Sequence, residues 1–288
     1  MSRPWILICP STRGLGLALT QHLLRSTTLP ILATARTDPA AARSSLLASS
    51  PALPPAAADR LHLARADVTD EASVAAAAEQ ARALFPPETH HLHLAFALPG
   101  VLHPEKSPQG VDYAEALETL RVNTLGPLVL MKWFGEFLPR KSTDLSAVAA
   151  STPDADGGNS TGDDDNGDGF KLPRHATWLT ASARVGSIAD NRLGGWYSYR
   201  ASKAGVNSLT RSFDLWLRTR AGGSAIALAY HPGTVRTGLS REFWDSVPGD
   251  QLFSPQFAVG RMVGVVAGRE AERDRGRCWD WRGEEVLP

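Results

Sequence analysis

Residues Trp5–Leu19, WILICPSTRGLGLAL, read as a short apolar strand that passes through a glycine turn into a helix. That order of elements aims backbone N–H groups and the positive end of a helix dipole at one point, which suits a diphosphate. Gly14 and Gly16 lie in the turn beside Ser11, Arg13 and Leu15, and a residue without Cβ lets the backbone approach a ligand closely. Two positions depart from a dinucleotide turn. Pro10 stands where its first glycine would fall, and the G-x-G-x-x-G pattern counted from Gly14 ends at Leu19. Taken alone, the stretch reads equally as a core strand followed by an ordinary bend.

The rest of the chain repeats the motif. Short apolar runs at Trp5–Cys9, Ile31–Ala35, Leu61–Ala66, Leu92–Leu98, Ala176–Thr180 and Ala225–Tyr230 alternate with longer stretches. Those at Leu15–Arg25, Glu71–Phe85, Tyr113–Phe137 and Tyr199–Arg218 carry apolar residues at three- and four-residue spacing, as helices packed on a sheet do. The alternation predicts an α/β fold, a single doubly wound Rossmann-type domain over 1–288 with a parallel sheet and helices on both faces. Two segments break the rhythm. Pro39–Asp59 is rich in Ala, Ser and Pro, and residues 142–170 are acidic and glycine-rich, which predicts a disordered surface insertion. Within it, Asp164–Gly169 mimics the start of a calcium loop, but His175 stands at the twelfth position and no helix pair flanks it. The Asn159-Ser160-Thr161 sequon is expected to be idle.

Thirty basic and thirty acidic residues cancel, so the charge balance gives no reason to expect nucleic acid or an anionic membrane as partner. Cys9 and Cys278 form no disulfide framework and lack zinc-ligand spacing, which favours a reducing compartment. No apolar run approaches the roughly 20 residues of a membrane span, and a cytoplasmic protein is expected. His91 and His93 share one face of a strand, but no third ligand is apparent and no metal is expected.

After the second strand, where a carboxylate would grip an NAD ribose, the sequence has Ala35 and Arg36. A guanidinium there suits a 2′-phosphate, Arg13 adds a second positive charge, and Asp38 weighs slightly against; NADP(H) is expected over NAD. In WYSYRASKAGVNSL, Trp196–Leu209, Tyr199 and Lys203 stand at i and i+4 on one helix face. An ammonium near a phenol favours the phenolate, so Tyr199 is a candidate general acid or base. The bland alternative is a Tyr and a Lys that merely coat a helix.

Gly14 and Gly16, ADV with Asp67, RVNTLGP with Asn123, YRASK with Tyr199 and Lys203, and HPGTVRT from His231 occur in the order of the short-chain dehydrogenase/reductases. The chain resembles that family nearly end to end, and most of all its C-factor-like branch, in VGSIADNRLGGWYSYRASKAGVN and the ending GRCWDWRGEEVLP. The resemblance implies hydride transfer between NADP(H) and a ketone, aldehyde or secondary alcohol. It implies that Tyr199 exchanges a proton with the substrate oxygen, that Lys203 lowers its pKa and holds the nicotinamide ribose, and that Asn123 positions a proton-relay water. Asp67 would meet the adenine amino group with Val68 beside it, and Val235 and Thr237, after Pro232 and Gly233, would contact the carboxamide. Family members often pair through their long helices, which implies a homo-oligomer.

Departures from the family pattern leave openings. ALPG, Ala97–Gly100, replaces the usual Asn-Asn-Ala-Gly, so that Gly100 alone survives. The serine that would bind the reacting oxygen is Ser182 in one register and Ala183 in another, with Ser187 a spatial substitute; Ser182 is favoured. Phe243 and Trp244 could wall an apolar pocket with Trp196, or be ordinary core aromatics. A second reading draws on Pro10, Leu98, Pro99 and the uncertain serine: a dinucleotide-binding sensor or signalling protein whose chemistry has decayed.

Overall fold

The computed structural model describes residues 1–49, 53–151 and 171–288. Strand β1 (Arg3–Cys9) leads into α1 (Gly14–Ser26), followed by β2 (Ile31–Ala35), α2 (Pro39–Ala48), α3 (Ala57–Arg60) and β3 (Leu61–Arg65). Next come α4 (Glu71–Leu84), β4 (His90–Ala97), α5 (Tyr113–Leu120) and α6 (Gly126–Phe134). The remainder comprises β5 (Ala176–Ala181), α7 (Tyr197–Ala221), β6 (Ala225–His231), β7 (Thr234–Val235), β8 (Leu252–Phe253), α8 (Pro255–Ala267), β9 (Cys278–Asp280) and β10 (Glu285–Val286).

Among the described residues, eight strands form one sheet in the order β10-β9-β6-β5-β4-β1-β2-β3, parallel throughout except where β10 pairs antiparallel with β9. The chain winds from β1 outward to β3, then crosses back to lay β4 on the other side of β1. At that reversal the connections leave a crevice outside the carboxyl ends of the strands.

Both sheet faces are covered, which explains why β1 reads as an unbroken apolar run. Ile6, Ile8, Leu94, Phe96 and Leu228 pack under α1 and α8, where Leu19, Leu23, Val259 and Met262 meet them. Their neighbours Trp5, Leu7, Leu92, Ala95 and Trp178 face the other way, toward Val74 and Ala77 of α4, Leu130 and Phe134 of α6 and Leu217 of α7.

Three features depart from the pattern read in the sequence. The long stretch from Tyr113 is interrupted by a π-helical turn, Arg121–Leu125, that separates α5 from α6. Part of Pro39–Asp59 is helical: Asp38 accepts from the N–H groups of Ala40 and Ala41, and Pro39 stands at the first helical position. The third is the short parallel pair β7 and β8, Val235 opposite Phe253.

Of residues 142–170, the described part holds Leu145 and Val148 against the core, while Asp144 accepts from Ser146 and its backbone oxygen from the Ser2 N–H. The calcium-like run and the sequon lie outside the described residues. No helix among the described residues is long and apolar enough to cross a membrane. His91 and His93 are buried with His91 Nε2 3.3 Å from His93 Nδ1, and no group of three or more metal-ligating side chains occurs among the described residues.

Candidate active site

A cleft of about 1140 Å³ runs along the carboxyl ends of β1 to β4. Of the residues expected at a cofactor site, Arg13, Gly14, Leu15, Gly16, Arg36, Asp67, Val68, Gly100 and Thr237 line it. Helix α1 starts there without a capping side chain, so its first amides are free of intramolecular claims from a side chain and face the cleft. The two glycines serve different needs. Gly14 has a left-handed backbone (φ +54°), and its missing Cβ would stand 3.3 Å from Thr237 Cγ2. A Cβ on Gly16 would fall on the Pro10 carbonyl oxygen, so the backbone path at the strand exit requires glycine across the turn.

Ser11 is not brought to the cleft. It is fully buried, and both its N–H and its hydroxyl donate to the Thr34 carbonyl (3.0 and 2.9 Å), tying the end of β1 to β2. At the far wall Arg13 and Arg36 are exposed, while Asp38 is engaged as the cap of α2. Asp67 Oδ1 accepts from the N–H and hydroxyl of Thr69 (2.9 and 2.7 Å). Burial pushes the Asp67 carboxyl up, but those bonds and the guanidinium groups of Arg36 and Arg65 outweigh it, so its pKa is lowered.

The other end of the site is sealed. Tyr199 and Lys203 are 7% and 2% exposed on α7 and do not line the cleft. Between them and the cleft stand two aromatic rings: Trp196 packs edge-on to Tyr199 (6.0 Å between centroids) and against Phe243 (5.0 Å), and Phe243 belongs to the cleft wall. Trp244 instead donates to Ser240 Oγ at 3.0 Å.

The ionisation of this pair differs from the expectation. Burial pushes the Tyr199 phenol up to about 12 rather than down, and pulls Lys203 to about 8. The reason is geometric as well as dielectric, because Lys203 Nζ donates to the Ala181 carbonyl (2.8 Å) and lies 5.6 Å from the Tyr199 ring centroid.

Asn123 sits in the π-helical turn, wholly buried. Its Oδ1 accepts from Val101 N–H (2.8 Å), and its Nδ2 donates to Val101 O (2.9 Å) and to Ser202 Oγ (3.1 Å), which in turn donates to the Tyr199 carbonyl (2.7 Å). Both amide protons are thereby used.

The two serine candidates are engaged differently, Ser182 as a donor and Ser187 as an acceptor. Ser182 Oγ donates to Asn207 Oδ1 at 2.6 Å, two turns beyond Tyr199, and Ser187 Oγ accepts from Asp190 N–H. Pro232, Gly233 and Val235 also stay off the cleft wall. Gly233 (φ +75°) lies against the Phe253 ring, and Val235 packs with Phe253 and Ala258. Sequence reasoning missed Leu102, His103, Leu239 and Glu242, and Glu118 of α5, which line the cleft from positions that no local pattern announces.

No family model matches the chain. It is 30% identical to C-signal of Myxococcus xanthus over 176 residues, covering 61% of this chain and 80% of that protein. It is 39% identical over 83 residues to 1-hydroxy-2-glutathionyl-2-methyl-3-butene dehydrogenase of Rhodococcus sp. (strain AD45), covering 28% and 34% of the two chains. The crystal structure of NADPH-bound carbonyl reductase from chicken fatty liver superposes with a TM-score of 0.74 at 24% identity, covering 100% of both chains. That likeness establishes the fold.

Proposed function

Since this chain belongs to the short-chain dehydrogenase/reductase family, we propose that it is an NADP(H)-dependent oxidoreductase acting on a ketone, aldehyde or secondary alcohol, with Tyr199 as the proton-transfer residue. The observation that carries the proposal is the juxtaposition of the glycine cradle and its two exposed arginines with a buried Tyr–Lys pair, linked through the ring contacts of Trp196 with Tyr199 and with Phe243 of the cleft wall. The cradle fits a dinucleotide, because a side chain at Gly16 is excluded and the amides of α1 are uncapped. When bound, the nicotinamide supplies or accepts the hydride.

The chain's own residues divide the remaining work. The amides at Gly14 to Gly16 would meet the diphosphate, and Arg13 and Arg36 the 2′-phosphate through charge-assisted hydrogen bonds. Asp67 and Val68 would border the adenine. Gly100 and Thr237 would flank the nicotinamide end, with Pro232, Gly233 and Val235 shaping the backbone behind them. A phenol pushed up to about 12 keeps its proton at neutral pH, so Tyr199 holds a proton that it can pass to a carbonyl oxygen as charge develops there. Lys203 would swing from the Ala181 carbonyl to hold the ribose and to favour the phenolate after proton transfer.

Asn123 holds the loop at Val101 and, through Ser202, the backbone of Tyr199; a relay water would find only the second lone pair of its Oδ1. Ser182, bonded to Asn207, would fix α7 against the end of β5 and would have to break that bond to reach the reacting oxygen. We read residues 1–288 as one cytoplasmic domain. Exposed Leu125, Leu128, Leu215 and Trp216 support a homo-oligomer paired through α6 and α7, testable by light scattering.

The test titrates the protein with NADPH and NADH by fluorescence, then follows NADPH loss across a carbonyl panel. NADPH is expected to bind tighter than NADH, and Tyr199→Phe to lower turnover by roughly 10² to 10⁴-fold with NADPH affinity nearly unchanged. Undiminished turnover in that variant would remove the role of Tyr199. NADPH binding without turnover of any carbonyl would assign the chain a sensor's role instead.

A further inference from the structure

Glu105 is a buried carboxylate, 5% exposed, in the loop between β4 and α5, where the proposed reaction calls for no charge. That loop lines the cleft from Val101 to His103, and Asn123 holds Val101 by both its N–H and its carbonyl. Four residues later it lies across the start of α7. The Glu105 carbonyl accepts from Trp196 N–H at 2.6 Å, and its Oε1 accepts from Ser198 N–H at 3.3 Å. Helix α7 has no capping side chain of its own, so Glu105 fills that position from a distant loop, with a negative group at the positive end of the helix.

The backbone it holds is strained. Gly194, Gly195 and Trp196 are successively left-handed (φ +65°, +66° and 52°), and a tryptophan adopts that region only where its surroundings over-determine it. Glu105 supplies the constraint on one side. On the other, Arg200 donates to the carbonyls of Gly195 (2.9 Å) and Gly194 (3.0 Å). Held in this way, the Trp196 ring covers Tyr199 and meets Phe243 of the cleft wall.

We propose that Glu105 is a positioning residue for Tyr199, capping α7 from outside and locking the Trp196 roof over the phenol. It touches neither substrate nor cofactor. The proposal deepens the reading of Tyr199 as the proton-transfer residue and rests on it. Asn123 and Glu105 act on opposite ends of the same loop, one through Ser202 to the Tyr199 carbonyl and the other through the amides just before Tyr199. Glu105 Oε2 and Ser198 Oγ are each buried without a partner among the described residues, so an amide at position 105 keeps the reach and the carbonyl acceptor for the Ser198 N–H and removes only the unpartnered carboxylate oxygen.

The experiment compares wild type with Glu105→Ala, Glu105→Asp and Glu105→Gln in the full chain, reading kcat, KM, NADPH affinity and hydrogen exchange across residues 194–199. Glu105→Ala and Glu105→Asp, which lose the reach, are expected to lower kcat about 10- to 100-fold with KM and NADPH affinity within about twofold. The amides of Trp196 and Ser198 should lose protection in both, and Glu105→Gln should restore protection and return kcat to within about threefold of wild type. An unchanged kcat in both shortened variants overturns the proposal. So does a parallel fall of kcat, NADPH affinity and melting temperature that Glu105→Gln does not repair, because that pattern marks a merely structural residue. If wild type binds NADPH yet reduces nothing, the reading of Tyr199 fails by itself, and exchange at Trp196 and Ser198 still judges the cap: protection unchanged by Glu105→Ala overturns it.

Discussion

The two ends of the site are built on opposite physical plans. The cradle end is open: its recognition groups are backbone amides and the exposed guanidinium groups of Arg13 and Arg36, already solvated and needing little rearrangement to meet an anion. The chemistry end is dry, with Tyr199 and Lys203 both pushed by burial toward their uncharged forms and Lys203 turned to a backbone carbonyl. Affinity for a charged ligand is therefore preformed at one end. Reactivity at the other depends on what enters the site and redirects the lysine.

The sharpest way to break this contrast is Lys203→Met. Turnover should fall about 10³-fold, since the group that favours the phenolate and holds the ribose is gone. Stability should move the other way. Lys203 keeps its proton to about 8 when folded, against 10.5 ordinarily, so between those values the unfolded chain binds more protons and wild-type stability rises with pH. Below about 8 the full burial penalty is present. At pH 7 the variant should accordingly be more stable, by about 2 kcal/mol after allowing for the lost hydrogen bond, and its advantage should shrink toward pH 10.5. Denaturant midpoints across that range check this; a variant less stable at pH 7 would mean that Lys203 is not penalised by burial.

Two substitutions probe the open end. Gly16→Ala places a methyl on the Pro10 carbonyl oxygen, a main-chain atom that cannot swing aside, and should cost about 3 kcal/mol or more in urea unfolding. Arg36→Ala removes an exposed charge that stabilises little in the free protein. It should weaken NADPH about 10- to 100-fold while leaving NADH affinity within about twofold. Equal losses for both cofactors would show that Arg36 serves the dinucleotide generally and not its 2′-phosphate.

How far each end could be read in the sequence follows from the same contrast. The βα alternation, the glycine turn and the Tyr199–Lys203 spacing are local patterns, and the parallel sheet covered by helices and the shared helix face follow from them. Direction is not local. A serine at a strand exit can face a ligand or the next strand, and Ser11 faces Thr34, just as Ser182 faces Asn207. The ionisation of Tyr199 is not legible locally, because i and i+4 spacing brings two side chains near each other without specifying that Ala181 O takes the ammonium. Glu105 was invisible because its partner Ser198 lies 93 residues away and no motif marks it. The α2 helix was the opposite case: Asp38 followed by Pro39 is a helix start that the surrounding Ala, Ser and Pro composition obscured.

Ser11→Ala is the smallest effect and the most exacting check on the open end. The hydroxyl donates to Thr34 O, but that carbonyl keeps the Ser11 N–H, so no acceptor is stranded when the side chain is cut back. The cost should be about 1 kcal/mol of stability, one neutral hydrogen bond in a buried place. NADPH affinity should not change beyond about twofold, because recognition at the turn is assigned to amides that the substitution leaves in place. A larger loss of affinity at unchanged stability would mean that the hydroxyl leaves Thr34 to meet the ligand. The cradle would then be remodelled on binding, as the chemistry end is, and the two ends would differ in degree only.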